Sequence, residues 1–305
     1  MKNGHQHLVS IVLLNFNGRT LLGELLDKCV DSILNTQYPN FELIFVDNGS
    51  TDNSAEYIQN GFNRENLKVI KLQRNFGFSR GNNIGANSSK GDIIVFVNSD
   101  VIVDKNWLIP LVAALEKSNV GLVYPDVNPP GSCMALRRDT FLQLNGFDER
   151  YFLYHEDTDI ITRVKLAGYH FVRVNNSRVW HKHGGTIKKL GDVDFPAFEG
   201  WRSAFIFFCK FAKPGTLVLT TSLLLCLNFM RILFYVKNGL KLYALGSFKW
   251  YLWLLLHIQQ IVEIRKEANT AFNHKVSDRF AREWFRGFVR GKLRKEWKKP
   301  HDYSA

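Results

Sequence analysis

Three places in the chain gather side chains that could do chemistry. Asn98-Ser99-Asp100 follows an apolar, β-branched run from Ile93 to Val97. A carboxylate there could hold a divalent cation, or the triplet could be a polar turn that ends a strand. Between Phe147 and Asp159, five carboxylates stand among aromatic residues. Glu156 and Asp157 precede the helical periodicity of Asp159 to Ala167, so they fall near a helix amino terminus, where acids meet the dipole favourably. The other reading is that aromatic neighbours desolvate one of them and raise its proton affinity, which is what a general base needs. His181 ends a short apolar stretch and matters only if the fold brings it to Asp100.

The elements that must position these groups alternate along the chain. Leu8 to Leu14 reads as a strand ending in Asn15-Phe16-Asn17-Gly18, followed by an apolar helical face from Arg19 to Asn35. Phe41 to Val46 is a second strand that runs into Asp47-Asn48-Gly49-Ser50-Thr51-Asp52, with Ser50 or Asp52 placed to cap the next helix. Leu67 to Leu72 is a third, and Gly91 to Asp100 holds the fourth. A helix at 106–117, strands at 120–124, 133–136, 169–174 and 178–180, and a short helix at 138–144 complete this part. Such alternation with short connections implies an α/β fold with a mostly parallel sheet. Ligands then bind at the carboxyl ends of the strands, where Asn98 and Asp100 lie. Glycines 77, 81 and 85 are either turn residues or places where backbone N–H groups approach a ligand.

Charge divides the chain. Residues 1–200 hold 21 Lys and Arg against 22 Asp and Glu, whereas residues 201–305 hold 19 against 6. That asymmetry points to a neutral body with a basic appendage whose partner is a membrane surface or a nucleic acid. The four cysteines, at 29, 133, 209 and 226, show no metal-finger spacing, and a reducing compartment is expected. Met1 to His7 is polar and lacks an apolar signal core, which argues against secretion.

Four ordered blocks, 9–18, 38–54, 75–100, and 146–168 with 179–186, resemble the inverting glycosyltransferase family 2 of GT-A type, most closely its bacterial rhamnosyltransferase-like branch. The resemblance implies a GT-A catalytic domain over 1–210 and a helical basic region over 211–305. It implies that Asp47 reads the nucleobase of a nucleotide-sugar donor, with Asn15 and Asn17 beside the same nucleotide. Asn75, Gly77 and Asn83 would line the diphosphate and sugar. Asn98-Ser99-Asp100 stands at the D-x-D metal motif with its first Asp replaced by Asn; Asp100 and His181 would hold Mn or Mg. Glu156-Asp157 matches the E-D motif, with Asp157 as catalytic base. The implied activity is transfer of a sugar, rhamnose from its thymidine diphosphate donor favoured over UDP- or GDP-sugars, to a hydroxyl of a glycan or lipid-linked acceptor.

In the last third, Leu217 to Leu227 is apolar but interrupted by Asn228 and Arg231, and Leu242 to Ile258 contains Lys249 and His257. With Tyr243, Trp250, Tyr251 and Trp253 nearby, in-plane attachment to the inner face of the cell membrane is expected, the body being cytoplasmic. A basic, aromatic tail over 279–299 would add electrostatic attraction. A transmembrane hairpin and a soluble helical subdomain are the alternatives. Nucleic-acid binding is not expected, because it leaves the acidic blocks without a purpose; a catalytically silent donor-binding member would be suggested only by Asn98.

Overall fold

The computed structural model describes residues 7–182 and 194–271. The chain divides into two compact units, Met1–Glu199 and Gly200–Ala305.

In the first unit the elements follow in the order β1 (Val9–Asn15), α1 (Gly18–Leu22), α2 (Glu24–Leu34), β2 (Phe41–Asp47), α3 (Ser54–Gly61), β3 (Leu67–Lys71), α4 (Gly77–Asn87), β4 (Ile93–Asn98) and β5 (Val101–Val103). Then come α5 (Leu108–Leu115), β6 (Val120–Pro125), a 3-10 turn at Pro130–Ser132, β7 (Cys133–Arg137), α6 (Arg138–Gln143), α7 (Glu156–Leu166), β8 (His170–Val174) and β9 (Val179–His181). Seven strands form one sheet in the order β3-β2-β1-β4-β7-β6-β8. β1 pairs in parallel with β2 and β4, β2 with β3, and β6 with β8, while β7 runs antiparallel to both neighbours.

Period-2 alternation gives each central strand two buried faces. Val9, Ile11, Leu13, Phe45 and Val95 join Leu26, Val30 and Ile33 of α2 in one apolar layer. Val12, Ile44, Val46, Ile94 and Phe96 pack on the other side with Phe141, Phe147, Ile160 and Val164. This double burial explains why the strands read as continuous apolar runs.

Three local readings need correction. The helix expected over 19–35 breaks at Gly23, whose φ of 58° and ψ of −131° leave helical space. Neither Ser50 nor Asp52 caps α3: Asn53 holds that position in a left-handed conformation. Asp52 instead accepts N–H bonds from Ser54 at 3.1 Å and Thr20 at 2.8 Å, tying α3 to α1. Gly81 and Gly85 lie inside α4 rather than in a turn. A Cβ on them would come within 2.5 Å of Leu14 and 2.4 Å of Val12, so they let the helix press onto β1.

The second unit contains most of α8 (Asp194–Phe211), then α9 (Pro214–Lys237), α10 (Lys241–Leu256) and α11 (Ile258–Ala271). Its core is aromatic: the Trp201 and Trp250 rings pack at a tilt of 39°, 5.7 Å between centroids, with the Phe205 ring against Trp250. The basic tail over 279–299 lies outside the described residues.

Candidate active site

From β1 the chain moves outward to β2 and β3 on one side, then returns to β4 on the other. The reversal opens a crevice at the carboxyl ends of β1 and β4, the place where open α/β sheets bind ligands. Register puts Asn15 beside Asp47, and Leu14 beside Asn98, so the polar ends of β2, β1 and β4 form a row.

The β2 end of that row is a hydrogen-bond network in which Asn15 Oδ1 alone is buried without a partner among the described residues. Asn15 donates to Asp47 Oδ1 at 3.0 Å, and the Ser50 hydroxyl donates to the same oxygen. Asp47 is 1% exposed, so its carboxylate is held within this turn rather than free at the surface. Asn17, at φ 50°, accepts the Thr51 N–H at 2.8 Å through Oδ1. Sequence reasoning missed Asn48, which is buried and joins the β2 and β3 ends: Nδ2 donates to Asn75 Oδ1 at 3.0 Å and to the Gly77 carbonyl at 3.1 Å. Asn75 also accepts the Gly77 N–H at 2.9 Å. Gly77 has φ +84°, and a Cβ there would sit 2.7 Å from the Phe152 carbonyl oxygen, so only glycine brings this turn against the 147–155 loop.

Asn83 works on that loop too. It donates to the Phe147 carbonyl and accepts the Phe147 N–H, both at 2.9 Å. Its amide is therefore engaged in positioning the segment before α7.

Past β4 the chain turns at Ser99-Asp100 into β5, which pairs antiparallel with β9 and sets Val101 opposite His181. This small second sheet answers the condition placed on His181: its Nε2 is 3.2 Å from Asp100 Oδ1, both side chains being under a tenth exposed. Burial works against a charged ring, but the hydrogen-bonded Asp100 carboxylate outweighs it, and the His181 pKa is raised. Carboxylate oxygen with imidazole nitrogen suits Mn or Mg and not a soft metal. Among the described residues no third His, Cys, Asp or Glu joins them, so donor oxygens or water would have to complete a coordination shell.

The three carboxylates at the start of α7 have separate fates. Asp159 is fully buried, takes the Arg163 Nε–H at 2.6 Å and the Tyr151 hydroxyl at 3.2 Å, and is structural. Arg163 in turn donates to the carbonyls of Leu144 and Gly146, so this pair staples the 144–151 loop to α7. Glu156 is buried, and its Oε2 has no hydrogen-bond partner among the described residues. Burial, with Asp157 and Asp159 nearby, pushes its pKa from 4.5 to about 8. Asp157 is half-buried; desolvation raises its pKa against the opposing pull of the Thr158 and Gly131 N–H groups. Tyr154 and His155 precede it at φ 67° and 69°. Two adjacent non-glycine residues in left-handed space store strain at the amino terminus of α7.

A loop that the sequence did not single out links the halves of the site. Between β6 and β7, the Asn128 backbone helps to raise the His181 pKa, and Gly131 packs directly against the Asp157 side chain. A Cβ on Gly131 would lie 2.8 Å from Asp157 Cβ, so the glycine permits this approach. Its only sequence signal was the Pro129-Pro130-Gly131 turn.

Glu156 yields a stability prediction. A carboxyl that binds its proton more tightly when folded contributes fully below its unfolded pKa, and that contribution is lost as pH rises towards the folded value. Between pH 4.5 and about 8, Glu156 should therefore progressively destabilise the first unit. Glu156→Gln removes the penalty, worth on the order of 4 kcal/mol above that window. Melting temperatures across pH should converge in acid and favour the variant in alkali; parallel curves would refute the assignment.

Comparison with known proteins agrees with this architecture. The model of "Glycosyl transferase family 2" matches residues 10–170, more than half of the chain. The O-antigen biosynthesis protein RfbC of Myxococcus xanthus is 25% identical over 228 residues, taking in 59% of this chain and 18% of its own. An N-acetylglucosaminyl-diphospho-decaprenol L-rhamnosyltransferase of Mycobacterium tuberculosis is 49% identical over 51 residues, 17% of each chain. The chain spans well under half the length of the curated relatives it matches. Among solved structures, the mannosyltransferase PcManGT from Pyrobaculum calidifontis, in complex with GDP-Man and Mn2+, aligns over 96% of this chain and 82% of its own with a TM-score of 0.56 and 16% identity. At that identity the likeness is one of fold, and it bears out the GT-A-like α/β architecture expected from the sequence. The match from β1 to β8 covers the crevice and most of the residues that shape it, and the chain belongs to glycosyl transferase family 2.

Proposed function

We propose that residues 1–210 form a catalytic domain that transfers a sugar from a nucleoside-diphosphate donor to a hydroxyl of a glycan or lipid-linked glycan, in assembly of a bacterial surface polysaccharide. The observation that carries this reading is the Asp100–His181 pair, set 3.2 Å apart where β5 pairs with β9, together with the loop between β6 and β7 whose Gly131 packs against Asp157. It supports a cation-compatible pair and a carboxylate with raised proton affinity as parts of one site.

In this reading the Asn15–Asp47–Ser50 turn receives the base, with Asn17 beside it. Asn75 and Gly77 shape the wall next to the diphosphate, and Asn83 fixes the loop that faces it. Asn98 adds a neutral oxygen acceptor at the β4 end. Asp100 and His181 would hold Mn or Mg, which when bound neutralises charge on the departing diphosphate. Asp157 takes the proton of the acceptor hydroxyl as its oxygen attacks the anomeric carbon. The bond to the nucleoside diphosphate breaks on the opposite side, and configuration inverts. Thymidine diphosphate rhamnose is the favoured donor, supported by the short stretch shared with the mycobacterial rhamnosyltransferase. The basic second unit would keep the enzyme at the cytoplasmic face of the membrane.

Calorimetry tests the donor site. One of the thymidine, uridine and guanosine diphosphates should bind with Mn2+ and lose affinity without it. Asp100→Ala should abolish the metal-dependent part while binding without metal persists. An unchanged metal dependence in the variant would remove Asp100 from its role.

A further inference from the structure

Resting on the proposed membrane location, we infer that the α9–α10 hairpin is inserted in the bilayer, α9 crossing the hydrocarbon, rather than lying flat at its surface.

Val218, Leu219, Phe229, Leu233 and Val236 face outward, with Leu219 70% and Val236 61% exposed. Asn228 and Arg231, which interrupt the apolar run in the sequence, both point into the unit. Asn228 Nδ2 donates to the Ser247 carbonyl of α10 at 2.9 Å and the residue is fully buried. Arg231 Nε donates to the Tyr235 hydroxyl at 2.7 Å, its guanidinium lying over the Trp201 and Tyr235 rings. Thr220 is buried and returns its hydroxyl to the Thr216 carbonyl, and the outward Ser222 returns its own to Val218 at 3.0 Å. Polar groups thus turn inward or back onto the helix while large apolar ones turn outward, the reverse of a helix on a water-soluble core.

α10 repeats the pattern. It buries Gly246, Ser247 and Trp250 and exposes Leu242, Phe248, Leu255 and Leu256. Tyr251 on α10 donates to the Leu225 carbonyl of α9 at 2.6 Å, so side chains of each helix bond the backbone of the other, although Asn228 Oδ1, Ser247 Oγ and Trp250 Nε1 have no hydrogen-bond partner among the described residues. Small residues at such a contact are typical of helix pairs in lipid.

Length and charge select the occupant of the outward face. α9 has 24 residues and, among the described residues, is the helix long and apolar enough to cross a membrane. At about 1.5 Å per residue it covers the roughly 30 Å of hydrocarbon. Lys213 precedes it and Lys237 ends it, and no charged residue faces outward between them. An in-plane helix needs a charged face beside its apolar one; apart from Arg231, which turns inward, the charges at α9 are Lys213 and Lys237 at its ends. Lys249, the one charged residue of α10 after Lys241, can carry its ammonium along its aliphatic stem towards the headgroups. A second copy of the chain could cover the same surface, and the test separates the two.

The full chain is reconstituted in vesicles of phosphatidylethanolamine and phosphatidylglycerol and washed with alkaline carbonate. Cys226 is an exposed native cysteine on α9, whereas Cys29, Cys133 and Cys209 are buried, so it reports its surroundings without substitution. The expected result is retention through the wash, with Cys226 unlabelled by a water-soluble maleimide until the vesicles are dissolved. Leu219→Glu with Leu233→Glu, at positions already exposed, should keep its helical circular dichroism and lose retention. Release of the native chain by carbonate would overturn the insertion in favour of surface attachment. A vesicle-free dimer with shielded Cys226 would overturn it in favour of self-association. Nucleotide release measured on the same samples reports the transferase reading separately, because retention does not depend on turnover.

Discussion

Asp157→Asn is expected to lower kcat by about 10² to 10⁴, the usual contribution of a positioned base, while leaving the dissociation constant of the nucleoside diphosphate unchanged. The side chain keeps its size and its one remaining oxygen can still accept the Thr158 N–H, but the amide cannot take the acceptor's proton. Melting temperature should hold, since Asp157 is half-buried and neutralising a desolvated carboxylate removes a cost. Steady-state kinetics beside calorimetry on one preparation checks all three. Wild-type turnover in the variant would remove Asp157 from the chemistry.

Two residues further on, the same substitution should have the opposite signature. Asp159→Asn leaves the Arg163 guanidinium buried beside a neutral amide, and breaking a buried pair by removing one partner costs about 3 to 5 kcal/mol. The Tyr151 hydroxyl loses its charged acceptor in the same step. Because Arg163 also holds the carbonyls of Leu144 and Gly146, the loop that Asn83 grips from the other side should loosen. Chemical denaturation should show the full loss, with turnover falling only as far as the folded fraction falls once the protein is held cold. A variant as stable as the parent would mean that the pair is not structural. Comparing the two substitutions separates a carboxylate that does chemistry from one that holds the site in shape.

That distinction was not legible in the sequence. Glu156, Asp157 and Asp159 present similar letters in one helical turn; only the i,i+4 reach to Arg163 and the approach of Gly131 from a distant loop sort them. The ends of β1, β2 and β4 were legible, because runs buried on both sides must be apolar and their abrupt polar ends mark the crevice. The pairing of β5 with β9 was not, since three-residue strands carry too little pattern, and with it went any derivation from the residues alone that Asp100 meets His181. In the second unit the apolar, basic composition is plain in the sequence, where Asn228 and Arg231 interrupt the apolar run; the fold turns both inward. Periodicity places residues on a helix; it does not say which face a neighbouring helix will cover.

The most direct test of the central claim is release of nucleoside diphosphate from thymidine, uridine and guanosine diphosphate sugars, by the full chain with Mn2+ and lipid-linked glycans extracted from bacterial membranes as acceptor. Release is expected from one nucleotide class, dependent on the acceptor and absent in Asp157→Asn. No release with any donor and acceptor, or equal release by Asp157→Asn, would contradict it.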